Sequence, residues 1–107
     1  MVRALLEMLG GRLVAFIGGV RETRAVRQWA DGERAIRDRD DEQRLRIAYR
    51  AALLITARDS HTVAQSWFHG LNPQLDDRAP ARVLRDEKPE VGGPLVLAAA
   101  RSFAAVG

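Results

Sequence analysis

At 107 residues, the chain has room for one small domain, or for two very small helical units that share a core. Its 47% apolar and 29% charged residues are typical of a globular protein and exclude a disordered chain. The absence of cysteine excludes disulfides, thiolate metal sites and cysteine nucleophiles. The net charge is +3, and Lys88 is the only lysine among 17 basic residues. Guanidinium groups suit phosphates and carboxylates alike, so the charge fits either nucleic acid or an acidic protein surface.

Two short helices are predicted first, because apolar residues at helical spacing are twice interrupted by a pair of glycines. They cover residues 4–9 and residues 12–17. The opening segment is too short, and too soon interrupted by charge and glycine, to be a signal peptide, and no apolar run reaches membrane-spanning length. We therefore expect a cytoplasmic protein that does not enter a membrane.

A third helix is predicted to begin at Glu22 or Thr23 and to end at Ala30, where Asp31 and Gly32 supply a turn. At 100° per residue, this helix has an apolar face and an opposite face with hydrogen-bond donors. The apolar face holds Ala25, Val26 and Trp29, and the donor face holds Arg24, Arg27 and Gln28.

The second and third helices together resemble a helix-turn-helix motif. That motif needs a small residue where the helices cross, a glycine in the turn and apolar residues that hold the second helix. Here these are Ala15, Gly19, Val26 and Trp29. The motif predicts contacts to bases and phosphates of DNA from Arg21, Arg24, Arg27, Gln28 and Arg34. The alternative is three packed helices with no role at DNA.

A charged connector at residues 33–41 precedes a long predicted helix at residues 42–57, for which Asp40 or Asp41 is the expected N-cap. The long helix has apolar residues on two sides, so we expect it to be buried from two directions. Because the chain is also short, we expect a homodimer. The boundary between two units is predicted near Arg39.

Three further helices are predicted after a break at Asp59 and Ser60. Thr62 and Gln65 have the spacing of a capping box for a helix at residues 63–69. The last two helices, at residues 80–86 and 94–106, each begin with a proline, whose missing amide hydrogen costs little at a first helical position. No segment alternates as a strand would, so the predicted fold class is all-α.

The C-terminal half contains a tryptophan helix, an Asn-Pro-x-Leu turn, a helix that starts with proline and ends in leucine, and a final aliphatic helix. The residues that define this pattern are Trp67, Asn72, Pro73, Leu75, Pro80 and Leu84. The pattern resembles the toxin-binding domain of Xre/MbcA/ParS-type antitoxins. Because that family joins such a domain to a helix-turn-helix-like unit, the resemblance divides the chain into a helix-turn-helix-like unit, residues 1–39, and a toxin-binding domain, residues 40–107.

The resemblance implies an antitoxin of a type II toxin-antitoxin system, which binds and neutralises a RES-type, NAD-degrading toxin and regulates its own operon through DNA. It also implies that the last helix and the tail obstruct the NAD pocket of the toxin. The toxin-binding residues are then Trp67, Leu71, Asn72, Pro73, Leu75, Arg101, Ser102 and Phe103. For Trp67, a core position and an interface anchor both remain open. Arg101 is either an ordinary surface arginine or the partner of an acidic group in the pocket.

Catalytic and metal sites find little support in the sequence. His61 and His69 lack a metal-ligand pattern, and the carboxylate clusters lie in predicted turns and caps. We therefore expect no catalytic residue, no metal and no cofactor, and a protein that is not an enzyme. The alternative function is a helix-turn-helix transcriptional regulator whose C-terminal half only dimerises; a small enzyme of unknown type is a third.

Overall fold

The computed structural model describes residues 1–106, and this part of the chain is helical without β-strands, which confirms the predicted all-α class. The seven α-helices are α1 (Val2–Leu9), α2 (Gly11–Ile17), α3 (Thr23–Ala30), α4 (Arg39–Thr56), α5 (His61–His69), α6 (Pro80–Asp86) and α7 (Pro89–Val106). A short 3-10 turn, Pro73–Leu75, lies between α5 and α6. None of the helices within residues 1–106 combines the length and the apolar character that crossing a lipid bilayer requires.

A single hydrophobic core extends through both halves of the chain. It contains the fully buried side chains of Leu5 in α1, Ile17 in α2, Ile55 in α4, Phe68 in α5 and Val96 in α7. Helix α4 lies at its centre and contacts α1, α2, α5, α6 and α7. The helices on either side of the predicted boundary near residue 39 therefore share one core.

Glycines end the first two helices, as predicted. The backbone nitrogen of Gly10 donates to the Leu6 carbonyl at 2.9 Å, and Gly10 then turns the chain with a φ of 84°. Gly18 ends α2, and Gly19 follows with a φ of 78°. Side chains rarely allow positive φ, so glycine is required at both turns. Gly11 departs from the prediction, because it is the first residue of α2.

The predicted N-cap of α4 is wrong. The cap is Asp38, whose Oδ1 accepts a hydrogen bond of 3.0 Å from the backbone nitrogen of Asp41. Asp40, Asp41 and Glu42 instead occupy the first turn of the helix. Carboxylates are favourable there because the N-terminal end of a helix is electropositive. Asp38 therefore caps α4, and the three acidic residues of the first turn interact favourably with the helix dipole.

The predicted capping box at the start of α5 is also wrong. Ser60 is the N-cap, and its hydroxyl accepts a bond of 3.2 Å from the backbone nitrogen of Val63. Thr62 lies within the helix, and the amide of Gln65 donates to the Met8 carbonyl at 3.1 Å. That carbonyl belongs to the last turn of α1, where backbone oxygens lack helical partners, so Gln65 serves a different helix.

Pro80 begins α6 as predicted, whereas Pro94 does not begin α7. Helix α7 starts at Pro89, and Pro94 lies inside it on the exposed side. Gly92 and Gly93, expected before the helix, are buried within its first two turns. At these positions α7 packs closely on α6 and α4, since a Cβ would lie 3.1 Å from the Val83 carbonyl oxygen at Gly92 and 2.7 Å from the Ile47 Cδ1 at Gly93.

Candidate functional site

The turn at residues 18–22 places α3 against α2. Its backbone is fixed by a hydrogen bond of 3.0 Å from the nitrogen of Val20 to the carbonyl of Ala15. Ala15 is 4% exposed, and its small side chain lets the two helices approach. The left-handed Gly19 completes the reversal. Ala15 is thus buried beside this turn, and Gly19 lies within it.

Apolar side chains hold α3 to the core. Val26 is fully buried, and the ring of Trp29 covers Gly18 so closely that a Cβ on Gly18 would lie 2.9 Å from the tryptophan Cζ3. The two residues predicted to hold the third helix therefore both face inward. The opposite side of α3 is left open to solvent.

The exposed side of α3 and its two ends carry the predicted DNA-binding residues. Arg24, Arg27, Arg21 and Arg34 are exposed and Gln28 is half-buried. Four of the five surround one depression of about 420 Å³, whose lining includes Arg21, Arg24, Gln28 and Arg34. Glu22 also lines it, whereas Arg27 does not. Within residues 1–106, no ion pair involves any of the four arginines among the five predicted residues, so their donors are available to a ligand.

The net positive charge of the chain lies in the N-terminal segment that includes α3. Residues 1–39 hold eight arginines and five acidic residues, a net charge of +3, whereas residues 40–107 hold nine basic and nine acidic residues. The net charge of the whole chain, +3, therefore lies in its first 39 residues. An excess of positive charge around an exposed helix attracts polyanions.

A group of charged side chains connects this region to the C-terminal half. The carboxylate of Asp41 lies 2.9 Å from the guanidinium of Arg44 and 3.8 Å from that of Arg85 in α6. It also lies beneath Gly19, where a Cβ would come within 2.9 Å of its Oδ2. Arg44 donates to the Glu87 carbonyl at 3.1 Å. The sequence analysis missed this group, although the three-residue spacing of Asp41 and Arg44 is a signal for an ion pair on a helix.

The Asn-Pro-x-Leu segment forms a compact turn. The Oδ1 of Asn72 accepts a hydrogen bond of 2.9 Å from the backbone nitrogen of Gln74, which starts the 3-10 turn. Asp76 and Asp77 follow with φ values of 56° and 61°, and the turn closes where the Asn72 nitrogen donates to the Arg78 carbonyl at 3.2 Å. The turn is thus fixed by its own hydrogen bonds.

The predicted toxin-binding residues of this segment differ in exposure. Leu71 is 77% exposed, Pro73 is exposed and Asn72 is half-buried. Leu75 is only 2% exposed and Trp67 only 8%. The side chain of Leu75 is therefore not available to a partner in this fold, which corrects its assignment as a contact residue. Trp67 takes the core position that the sequence left open, and both residues support the surface from beneath.

The end of α7 lies beside the tryptophan helix. The ring of Phe103 is 6.4 Å from that of Trp67, at an angle of 48°, and Trp67 also meets Phe68 edge to face at 5.0 Å. Phe103 remains 37% exposed, and its neighbours Arg101 and Ser102 are exposed. The structure therefore brings Phe103, one of the predicted toxin-binding residues of α7, next to Trp67 of α5.

Within residues 1–106, no group of three or more histidine, aspartate or glutamate side chains is arranged to hold a metal ion. His61 and His69 are both exposed, at opposite ends of α5. The features that stand out are therefore surfaces, one basic and one partly apolar.

Comparison with known proteins gives no relative for this chain. No family model matches the sequence, and no curated protein or solved structure is significantly similar to it. The basic surface around α3 and the surface formed by α5, the 3-10 turn and α7 are the two candidates for binding.

Proposed function

We propose that the protein is the antitoxin of a type II toxin-antitoxin system and that it neutralises a RES-type, NAD-degrading toxin. The observation that carries the proposal is the proximity of Phe103 to Trp67. The tryptophan helix and the final helix are separate parts of the antitoxin pattern in the sequence, and in the fold Phe103 of the final helix lies against Trp67 of the tryptophan helix. An exposed leucine, Leu71, lies in the loop that continues the tryptophan helix.

Neutralisation by this surface requires no chemical step from the antitoxin. The last turns of α7 are exposed, with Val106 at 89%, so this end of the helix can enter a cleft of the toxin. Arg101 carries a planar fork of donors that fits a carboxylate in such a cleft. A helix end that occupies the NAD pocket excludes the substrate by its volume, and the toxin stays inactive while the complex lasts.

Co-expression with the protein encoded by the adjacent gene tests this function. We expect a stable complex in size-exclusion chromatography, normal growth of cells that the toxin alone arrests, and no NAD consumption by the purified complex. The double substitution Leu71→Ser with Phe103→Ala should weaken the complex and restore NAD consumption. A stoichiometric complex that still degrades NAD at the rate of the free toxin would contradict the proposal.

We also propose that the basic surface around α3 binds the operator of the same operon. The support is the set of arginines that form no ion pair with any residue from 1 to 106, and the location of the net charge in residues 1–39. Fluorescence anisotropy with the upstream DNA, measured over a range of salt concentrations, tests it. Absence of binding even at low salt would leave α2 and α3 with a structural role alone.

The same basic surface favours a second candidate, a transcriptional regulator whose C-terminal half only dimerises. The two candidates differ in the role of α5 and α7, which bind the toxin in the antitoxin and only form the dimer in the regulator. DNA binding together with failure to capture the adjacent gene product would favour the regulator. Capture and inhibition of that product would favour the antitoxin.

A further inference from the structure

Helices α4 and α7 run in the same direction. Gly93, in the second turn of α7, packs against Ile47 in the middle of α4, and a Cβ on Gly93 would lie 2.7 Å from the Ile47 Cδ1. Eleven residues further along the chain from each of these positions, just beyond the end of α4, the guanidinium of Arg58 donates to the Ala104 carbonyl at 2.7 Å. Because the two contacts advance in the same direction along both segments, the helices are parallel. Small side chains such as Ala104 leave a groove of about 730 Å³ between the two helices.

The groove has an apolar floor and a basic rim. Leu54, Leu97 and Ala104 form the floor, and Leu97 is 7% exposed. The rim is formed by three exposed arginines, Arg50, Arg58 and Arg101, and no aspartate or glutamate lines the groove. In the part of the chain that the structure describes, neither Arg50 nor Arg101 takes part in an ion pair.

We propose that this groove binds a helix of the toxin that has aliphatic side chains along its centre and aspartates and glutamates on its flanks. The inference rests on the proposed antitoxin function and adds the partner surface that the antitoxin recognises. The lining residues span positions 50–58, from α4 into the turn that follows it, and positions 97–105 of α7, or about 12 Å at 1.5 Å per residue. This length matches about two turns of a docked helix, with apolar anchors three or four residues apart.

Two other occupants fit the groove less well, a second copy because of its charge and nucleic acid because of the apolar floor. A second copy of the chain, placed groove to groove, would bring two sets of three arginines together with no carboxylate between them. Nucleic acid would place its phosphates over an apolar floor that offers them no donor. An acidic amphipathic helix satisfies both the floor and the rim, because its aliphatic side chains cover Leu54 and Leu97 while its carboxylates reach the arginines.

The test uses the full chain and the protein encoded by the adjacent gene, with the Kd measured by calorimetry. Arg50→Glu is the decisive variant, since Arg50 lies in the groove but outside the residues predicted from the antitoxin pattern. We expect the Kd to rise about tenfold or more, because the reversed charge repels the acidic flank. Arg50→Lys should retain most of the affinity, and Arg37→Glu, an equal charge reversal on an exposed residue outside the groove, should leave it unchanged. The wild-type Kd should also rise with salt more steeply than that of Arg50→Glu.

The outcomes separate this inference from the proposed function. If the wild-type chain inhibits the toxin and Arg50→Glu binds with an unchanged Kd, the groove is not the docking site and the antitoxin function stands. If the wild-type chain does not bind the adjacent gene product, both proposals fail. If Arg50→Glu changes the mass of the free protein in solution but not toxin binding, the groove is an interface between copies, which also overturns the inference. Thermal unfolding of each variant checks that the fold is retained.

Discussion

Gly92 of α7 faces Val83 of α6 so closely that a Cβ on Gly92 would lie 3.1 Å from the carbonyl oxygen of Val83 and 3.4 Å from its Cγ1. Gly93, the next residue, faces α4 instead, and a Cβ there would lie 2.7 Å from the Cδ1 of Ile47. The two glycines differ in what opposes them: backbone at Gly92, and the tip of a side chain at Gly93.

Gly92→Ala is therefore expected to destabilise the protein more than Gly93→Ala. Overpacking costs about 1–3 kcal/mol, and alanine returns about 1 kcal/mol through its higher helix propensity. At Gly93 the end of Ile47 can rotate away, whereas at Gly92 helix α6 itself must move. Urea unfolding followed by circular dichroism measures both losses. An equal or larger loss at Gly93 would contradict this interpretation.

Asp38→Ala is expected to remove the N-cap of α4. Loss of a side-chain cap typically costs about 1 kcal/mol. Asp40→Ala is a matched control, because Asp40 carries the same charge in the first turn but is not the cap. The free energy of unfolding should fall clearly for Asp38→Ala and only by a few tenths of a kcal/mol for Asp40→Ala. Equal effects of the two substitutions would mean that charge near the helix end matters and the cap does not.

Leu71 and Leu75, four residues apart, are expected to respond oppositely to truncation. Leu71→Ser changes an exposed side chain, so the unfolding free energy should stay within about 0.5 kcal/mol of the wild type, while affinity for the toxin falls. Leu75→Ala empties a buried position and should cost about 2–5 kcal/mol. Thermal unfolding and calorimetric titration with the toxin separate the two effects. Unchanged toxin affinity in Leu71→Ser would remove this residue from the proposed interface.

Arg24→Ala is expected to weaken DNA binding without changing the melting temperature. Each phosphate contact that is lost should reduce the slope of log K against log salt by about 0.9. Arg27→Ala tests whether the residue outside the α3 depression contributes equally. Lys88→Ala, which removes a positive charge between α6 and α7, is the control and should leave the slope unchanged. A slope that falls equally for Lys88→Ala would indicate binding to charge in general rather than to the surface of α3.

Helix ends were predictable where a single residue, such as glycine or proline, favours an end through its own backbone geometry. Gly10 and Gly18 end helices because the chain must turn there, and Pro80 starts α6 because its missing donor costs little at a first position. Pro94 has the same local signature, yet it lies inside α7. The two glycines before it read as a helix break in the sequence, but in the fold they pack closely on α6 and α4. A local sequence pattern contains no information about those contacts.

The functional residues divide in the same way. A helical wheel was sufficient to place Arg24 and Arg27 on the exposed side of α3 and Val26 inside. It could not show that Leu75 would be buried. Nor could it show that Gln65 would bind the Met8 carbonyl, which lies 57 residues away in sequence. The spacing of apolar residues shows which side of a helix faces inward, whereas the burial of a given side chain depends on which other helix packs against it.

Val26, buried in the core, and the ring of Trp29, packed over Gly18, hold α3 on the remainder of the molecule. Two copies that pair through their C-terminal halves would consequently present their α3 helices at a set separation and angle. Recognition of a palindromic operator depends on that separation, since half-sites recur with the helical period of DNA. A substitution in the pairing surface would thus change the spacing of half-sites that the dimer accepts, while every side chain that touches a base stays the same.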